Sequence, residues 1–148
     1  MAFLSSLDIV GSALTAERHR TDTILQNIAN ADTLISENGE PYRRKQVVLQ
    51  ERPLDFHDML DKAQGGSGSP VGAGGVRVAQ VVESDRDFRP VYDPTNPLAD
   101  EQGYVMHPNV DTTEEMVDLM AASNAYEANL TALTVMKAMI NKTLDLNK

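Results

Sequence analysis

The chain contains no cysteine and no tryptophan. The first absence removes disulfides, thiolate zinc sites, thiol nucleophiles and iron–sulfur ligation in one step, and it leaves the redox compartment open. Aromatic residues make up only 5% of the sequence, so aliphatic side chains and seven methionines must do most of the packing. No stretch approaches the run of roughly 18 apolar residues that a membrane-spanning helix needs, so the protein is not expected to be membrane-integral. Positive charge is also scarce: 13 Lys and Arg stand against 22 Asp and Glu, for a formal net charge of −9. Such a surface repels a phosphate backbone, which argues against nucleic acid as a partner. Arg43-Arg44-Lys45 is the local exception. With only Tyr42 beside it as an aromatic platform, it reads as a solvated strand or loop face.

A cleavable signal peptide is not expected either. Phe3 to Ala16 is apolar, and Ala13-Leu14-Thr15-Ala16 looks like a cleavage site. No basic region precedes that stretch, however, and Asp8 would sit in the middle of its apolar core. Export, if it occurs, is then uncleaved and by another route.

What the sequence does have is helical periodicity at both ends. From Leu4 to Ala31, apolar residues recur in steps of three and four through Leu7, Val10, Leu14, Ile24, Ile28 and Ala31, with interruptions at Glu17 and Thr21. A helix of that length extends about 42 Å and is marginal in isolation. The C-terminal third repeats the pattern through Met116, Leu119, Ser123, Tyr126, Leu130, Leu133, Lys137, Ile140 and Leu144, a heptad seam with two polar breaks. Beside it runs a second stripe of Met120, Ala128, Ala132, Val135, Met136 and Met139. Two stripes are more than one partner helix can cover. Thr112-Thr113-Glu114-Glu115 has the spelling of a capping box, with Thr112 as N-cap and Glu115 reaching back to it, and predicts a helix from about Thr113 to Leu146.

Between the ends the pattern changes. Tyr42 to Gln50 and Val76 to Glu83 are Val-rich and roughly alternating, as in strands. They flank the Gly- and Ser-rich run 65–75, a flexible linker by composition. Leu54 to Leu60 reads as a helical turn. Residues 90–109 carry four prolines and Gly103, and are expected to be loop or extended chain. The fold class expected is therefore mainly α with a small β-rich insert. An N-terminal core helix (1–33) pairs as a coiled coil with a C-terminal one (110–148), and the insert (34–109) lies between, too rich in Gly and Pro to add a second packing layer.

Candidates for chemistry are thin. His19, His57 and His107 have no metal-ligand partner at helical spacing, so no metal site is expected. Glu114 with Asp118, and Asp85 with Asp87, are pairs of carboxylates, but helix-start acids and a polar turn explain them. The Gly-rich run lacks the Gly-Lys-Ser/Thr of a phosphate loop. Asp93-Pro94-Thr95-Asn96 opens like a calcium loop, yet Pro94 and Pro97 break it and the closing Glu is missing. No catalytic residue and no cofactor is assigned.

Particular words in the sequence carry more. Asn27-Ile28-Ala29-Asn30-Ala31-Asp32-Thr33, with Tyr42 as the next aromatic, resembles the N-terminal signature of the flagellar rod and hook axial proteins. Asp93-Pro94-Thr95-Asn96-Pro97-Leu98, continuing through Gly103-Tyr104-Val105 and Pro108-Asn109-Val110-Asp111 into Glu114-Glu115-Met116-Val117, is similar to the proximal-rod branch of that family. Ser123, Tyr126, Glu127, Asn129 and Lys142-Thr143-Leu144 resemble its C-terminal signature. The resemblance implies a structural subunit, with no enzymatic role. It implies export by the flagellar type III apparatus without a cleavable signal, and residence in the rod that spans the periplasm. It further implies helical assembly with copies of itself and with rod subunits of the FlgB, FlgF, FlgG and FliE types, to carry torque. Another rod subunit of the same family, and a soluble helical adaptor module, are the alternative readings. A small hydrolase using Asp85, Asp87 or Glu114 is a third.

Overall fold

The computed structural model describes residues 2–36, 38–52 and 74–145. The expected helical turn at Leu54 to Leu60 and residues 65–73 of the Gly-rich run lie outside them.

Helix α1 (Ala2–Ala29) and helix α2 (Thr112–Asp145) form the long axis of the molecule. At 1.5 Å per residue they are about 42 and 51 Å long. They pack against each other, and α2 packs on no other element among the described residues. Asn27 lies against Glu115 and Arg20 against Asp118, so the two helices run antiparallel. Helix α1 stops where the side chain of Asn30 donates to the Gln26 carbonyl at 2.8 Å and its own backbone N–H is shared between Gln26 and Asn27. The chain then reverses through Gly39, whose φ of 78° suits a residue without a Cβ.

Helix α2 does not start as its sequence suggested. Asp111, not Thr112, is the N-cap: its carboxylate accepts the backbone N–H of Thr113 at 2.8 Å and of Glu114 at 3.4 Å. Glu115 does not reach back to the cap. Its side chain is fully buried and points to other partners. The two N–H groups hold the Asp111 carboxyl below the usual carboxylate range.

Strand β1 (Lys45–Glu51) pairs antiparallel with β2 (Val76–Glu83), with a register shift between Val48 and Leu49 that leaves Ala79 without a partner. This ribbon packs on α1, where the Ser12 hydroxyl accepts the Val76 N–H at 3.0 Å. The insert thus does add a layer, but to α1 only. Residues 90–109 hold more structure than their prolines suggested. Strands β3 (Arg89–Tyr92) and β4 (Tyr104–His107) form a second antiparallel hairpin. Pro94 and Pro97 fall in the connection, while Pro90 sits in a two-stranded ribbon, where a missing N–H is tolerated. Asp93 N–H donates to the Gly103 carbonyl at 3.0 Å, and Tyr92 and Tyr104 meet edge to face at 5.4 Å.

The core is small. Among the described residues the buried apolar side chains are Ala16, Ile24, Tyr42, Val105, Pro108, Val110 and Ala122; Asn27, Arg44, Asn109 and Glu115 are buried with them. Along α2 the covered stripe is Glu115, Leu119, Ala122, Ala125, Asn129, Leu133, Met136 and Ile140. That stripe lies one position away from much of the seam read in the sequence. Ala122 is 0% exposed beside exposed Ser123, and Asn129 is half-buried beside exposed Leu130.

Candidate functional site

The most elaborate arrangement in the molecule is a buried polar junction where the end of α1, the approach to β1, the β2–β3 turn and the start of α2 meet. Asn27 is its centre. On the last turn of α1, its amide donates to the Lys45 carbonyl at 2.8 Å and to the Glu115 carboxylate at 2.9 Å. Its carbonyl oxygen accepts the Lys45 N–H at 2.9 Å and the Tyr42 hydroxyl at 3.0 Å. Both donors and both acceptor positions of the amide are thereby used.

Arg44 is the second hub. Its side chain is 5% exposed. The guanidinium donates through Nε to the Glu115 carboxylate and through Nη2 to Asp118 at 2.9 Å, while Glu114 stands 3.7 Å from Nη1. The basic run is therefore not a solvated face. Arg44 turns inward to neutralise a buried carboxylate, Arg43 lies over the Phe88 ring at 4.4 Å, and Lys45 stands 5.6 Å from the Tyr42 ring centre. Asn109 completes the junction. It accepts the Arg44 N–H at 2.7 Å and donates to the carbonyls of Arg86 at 2.8 Å and Ser84 at 3.3 Å.

Burial of Tyr42, with Glu115 and Glu83 nearby, pushes its phenol up to about 12. At the rim, Arg86 grips Glu114 with two hydrogen bonds of 2.8 and 3.3 Å. That grip holds the Glu114 carboxyl below its ordinary range and raises the guanidinium above its own.

This chemistry suits holding rather than reacting. A cavity of about 300 Å³ opens beside the junction, lined by Arg20, Ile24, Arg44, Val47, Glu115 and Asp118 among others. Both of its carboxylates already accept from Arg44. Glu114 is taken by Arg86, and Asp85 and Asp87 are exposed on the turn. No group of three or more His, Asp or Glu among the described residues is arranged to hold a metal ion. No described helix is long and apolar enough to cross a membrane.

Of the residues singled out in the sequence, the structure brings Asn27, Tyr42, Asn109 and Glu115 together in the junction. Asp93, Pro94, Gly103 and Tyr104 gather in the β3–β4 connection. There the Asp93 carboxylate accepts the Thr95 hydroxyl at 2.7 Å, and a Cβ on Gly103 would sit 3.0 Å from the Tyr92 ring. Asn30 caps the end of α1, Ala29 is exposed beside it, and Asn129 is half-buried along α2. On α1, Ile24 is buried and Leu7, Val10, Leu14 and Ile28 are half-buried. On α2, Leu119, Leu133 and Ile140 are half-buried, whereas Tyr126, Leu130 and Leu144 are exposed. Arg44 and Asp118 were not foreseen as parts of any site. The available signal was Glu115, a charged residue placed in the sequence one position from an apolar seam.

Comparison with known proteins agrees with the reading of the sequence motifs. Residues 101–146 match the family model described as flagellar basal body rod FlgEFG protein, C-terminal. The chain is 45% identical to the flagellar basal-body rod protein FlgC of Bacillus subtilis, covering 100% of both chains. It is likewise 45% identical to FlgC of Salmonella typhimurium over 100% of both. To FlgC of Borreliella burgdorferi it is 37% identical over 97% of each. With a junction that binds its own segments together and full-length relatives of one kind, the chain belongs to the FlgC family of flagellar basal-body rod proteins.

Proposed function

We propose that this rod subunit polymerises helically through α1 and α2, paired as a coiled coil, and that neighbouring subunits cover the apolar surface that one α1 leaves bare. The observation that carries the reading is the outer face of α2. Met116, Val117, Met120, Leu130, Val135, Met139 and Leu144 are all exposed, Met120 at 67% and Leu144 at 61%. Apolar area of that extent on one helix marks an association surface. A contact that meets a different patch on the next copy builds an open helix instead of a closed ring, which is the geometry of a shaft.

In this reading the subunit is mechanical. The family motif residues Asn27, Tyr42, Asn109 and Glu115 fix how the helix pair meets the insert, so that load passes between α1 and α2 through directional bonds. The seam residues Leu7, Val10, Leu14, Ile24, Ile28, Leu119, Leu133 and Ile140 join the pair; Tyr126, Leu130 and Leu144 face neighbours. Export through the flagellar type III apparatus without cleavage, a place in the proximal part of the rod, and contacts with subunits of the FlgB, FlgF, FlgG and FliE types belong to the same reading.

The test is Leu130→Asp. Leu130 is 44% exposed and lies beside the stripe that α1 covers, so helical circular dichroism of the variant is measured alongside. The expected result is normal levels of exported protein with no incorporation into basal bodies and no motility. Wild-type motility and incorporation would refute assembly through α2.

A further inference from the structure

Sulfur is present in this chain only as thioether: there are seven methionines and no cysteine. Thiolates are ordinarily the first groups on a protein to react with a peroxide. Without them the softest nucleophiles on offer are the methionine sulfurs, and exposure decides which of these an oxidant reaches.

The fold distributes that exposure unevenly. Met116, Met120 and Met139 are 54%, 67% and 51% exposed, all on α2. Met136, on the same helix, belongs to the stripe that α1 covers and is half-buried. Met106 is exposed too, but on β4. Met116 and Met120 stand one helical turn apart, and Met139 stands one turn from exposed Val135. An unbranched, polarizable thioether suits such a surface, because it adapts to whatever apolar shape packs on it. Its sulfoxide does not, since the S–O group is a polar acceptor that an apolar neighbour cannot satisfy. All three sulfurs lie outside the stripe that α1 covers, so the helix pair can keep its packing while its outer face turns polar.

We propose that Met116, Met120 and Met139 form an oxidation site on the free subunit, where conversion to methionine sulfoxide by a peroxide blocks association until a methionine sulfoxide reductase restores the thioethers. In each event a sulfur lone pair attacks one oxygen of hydrogen peroxide and the O–O bond breaks. That oxygen stays on sulfur, and the other leaves as water. Sulfur is oxidised by two electrons and the peroxide is reduced by two; the reductase reverses the change by giving up two thiols for a disulfide and releasing the oxygen as water. Neighbours that cover α2 shield the same sulfurs, so the site closes once the subunit is incorporated. The proposal rests on the reading of α2 as the association surface and adds the regulation of that surface.

The test uses the purified full-length chain, treated with hydrogen peroxide for increasing times, with the sulfoxides located by peptide mass mapping. Met116, Met120 and Met139 should convert several-fold faster than Met136, with helical circular dichroism unchanged. Association, followed by sedimentation at rising protein concentration, should then need on the order of tenfold more protein to reach the same associated fraction, because each buried sulfoxide leaves its acceptor without a donor. Methionine sulfoxide reductases should restore the original concentration dependence. Each variant is compared with its own untreated sample: Met106→Leu should leave the sensitivity to peroxide unchanged, and Met116→Leu, Met120→Leu and Met139→Leu together should remove most of it. Should that triple variant fail to associate, the reductase treatment of the native chain decides. Equal rates at Met136, loss of helix, no recovery after reduction, or an oxidised chain that associates as well as the untreated one would overturn the proposal. If Leu130→Asp still weakens association in that last event, the surface stands and only its oxidation switch falls; if the untreated chain does not associate at any concentration, the reading of α2 fails with it.

Discussion

Replacing Arg44 with methionine keeps most of the side chain's length and its apolar stem but removes the guanidinium. Glu115, 0% exposed, then keeps a hydrogen bond from Asn27 and loses the guanidinium bonded directly to it. Breaking a buried ion pair from one side costs about 3–5 kcal/mol, because the remaining charge has no water to return to. Against a total stability of roughly 5–15 kcal/mol for a domain, that is a large share. With a urea dependence of about 2 kcal/mol per molar, the unfolding midpoint followed by helical circular dichroism should fall by roughly 2 M. The companion variant, Arg44→Met with Glu115→Met, removes both charges. It should recover most of the loss, leaving a deficit of about 1 kcal/mol for the Asn27 N–H that no longer has its carboxylate. If Arg44→Met shifts the midpoint no more than the exposed Arg86→Met does, or if the double variant is no better than the single one, the junction is not a buried ion pair in solution.

Other consequences follow from single groups. Tyr42→Phe should cost about 0.5–1.5 kcal/mol in the same assay, by leaving one acceptor position of Asn27 empty. In an ultraviolet titration Tyr42 should ionise near 12, later than an ordinary phenol at 10.0. Its folded form favours the neutral phenol, so the stability it contributes is present below pH 10 and is lost as pH climbs towards 12. Asp111→Ala should lower the melting temperature, with Asp111→Ser recovering part of the loss as an alternative cap. The folded carboxyl titrates below its unfolded value. Its contribution is therefore present above the unfolded pKa and fades as pH falls through the folded one, a component that Asp111→Asn should abolish. Gly103→Ala should destabilise by at least about 1 kcal/mol. Gly103 has a φ of 84°, and the new Cβ would press on the Tyr92 ring and Pro94. Weakened Tyr92–Tyr104 contact, read as altered near-ultraviolet dichroism, is the accompanying sign.

Both helices and the β1–β2 ribbon were legible because each repeats its own period along the chain. The β3–β4 hairpin was hidden by proline. Pro90, Pro94 and Pro97 argue against regular structure, yet only Pro90 lies in a strand, and a two-stranded ribbon has a free edge for it. The covered stripe of α2 was misplaced because the helix is apolar on more than one side. Hydrophobicity ranks Leu130 above Ala122 and Asn129, but close helix contact favours the smaller residues, and Leu130 is left for outside. The capping box failed because Asp111, one position earlier, is an equally good cap, while Glu115 is drawn inward by a buried arginine. That junction had no local signature at all. Its members come from segments that only the folded chain brings near, so residue spacing could not announce Arg44 as the partner of Glu115.

The separation itself has a temporal consequence. Arg44 and Glu115 are 71 positions apart, and Asn27 and Glu115 are 88. A ribosome, or any narrow passage that releases the chain from its amino end, delivers Asn27 and Arg44 long before their acid exists on the far side. Until then the arginine has no buried anion to meet, the amide lacks one of its acceptors, and closing so long a loop carries its full entropic penalty. Nascent chains should therefore stay open and pliable for three-quarters of their emergence and lock late, once the first turn of α2 is free to swing in.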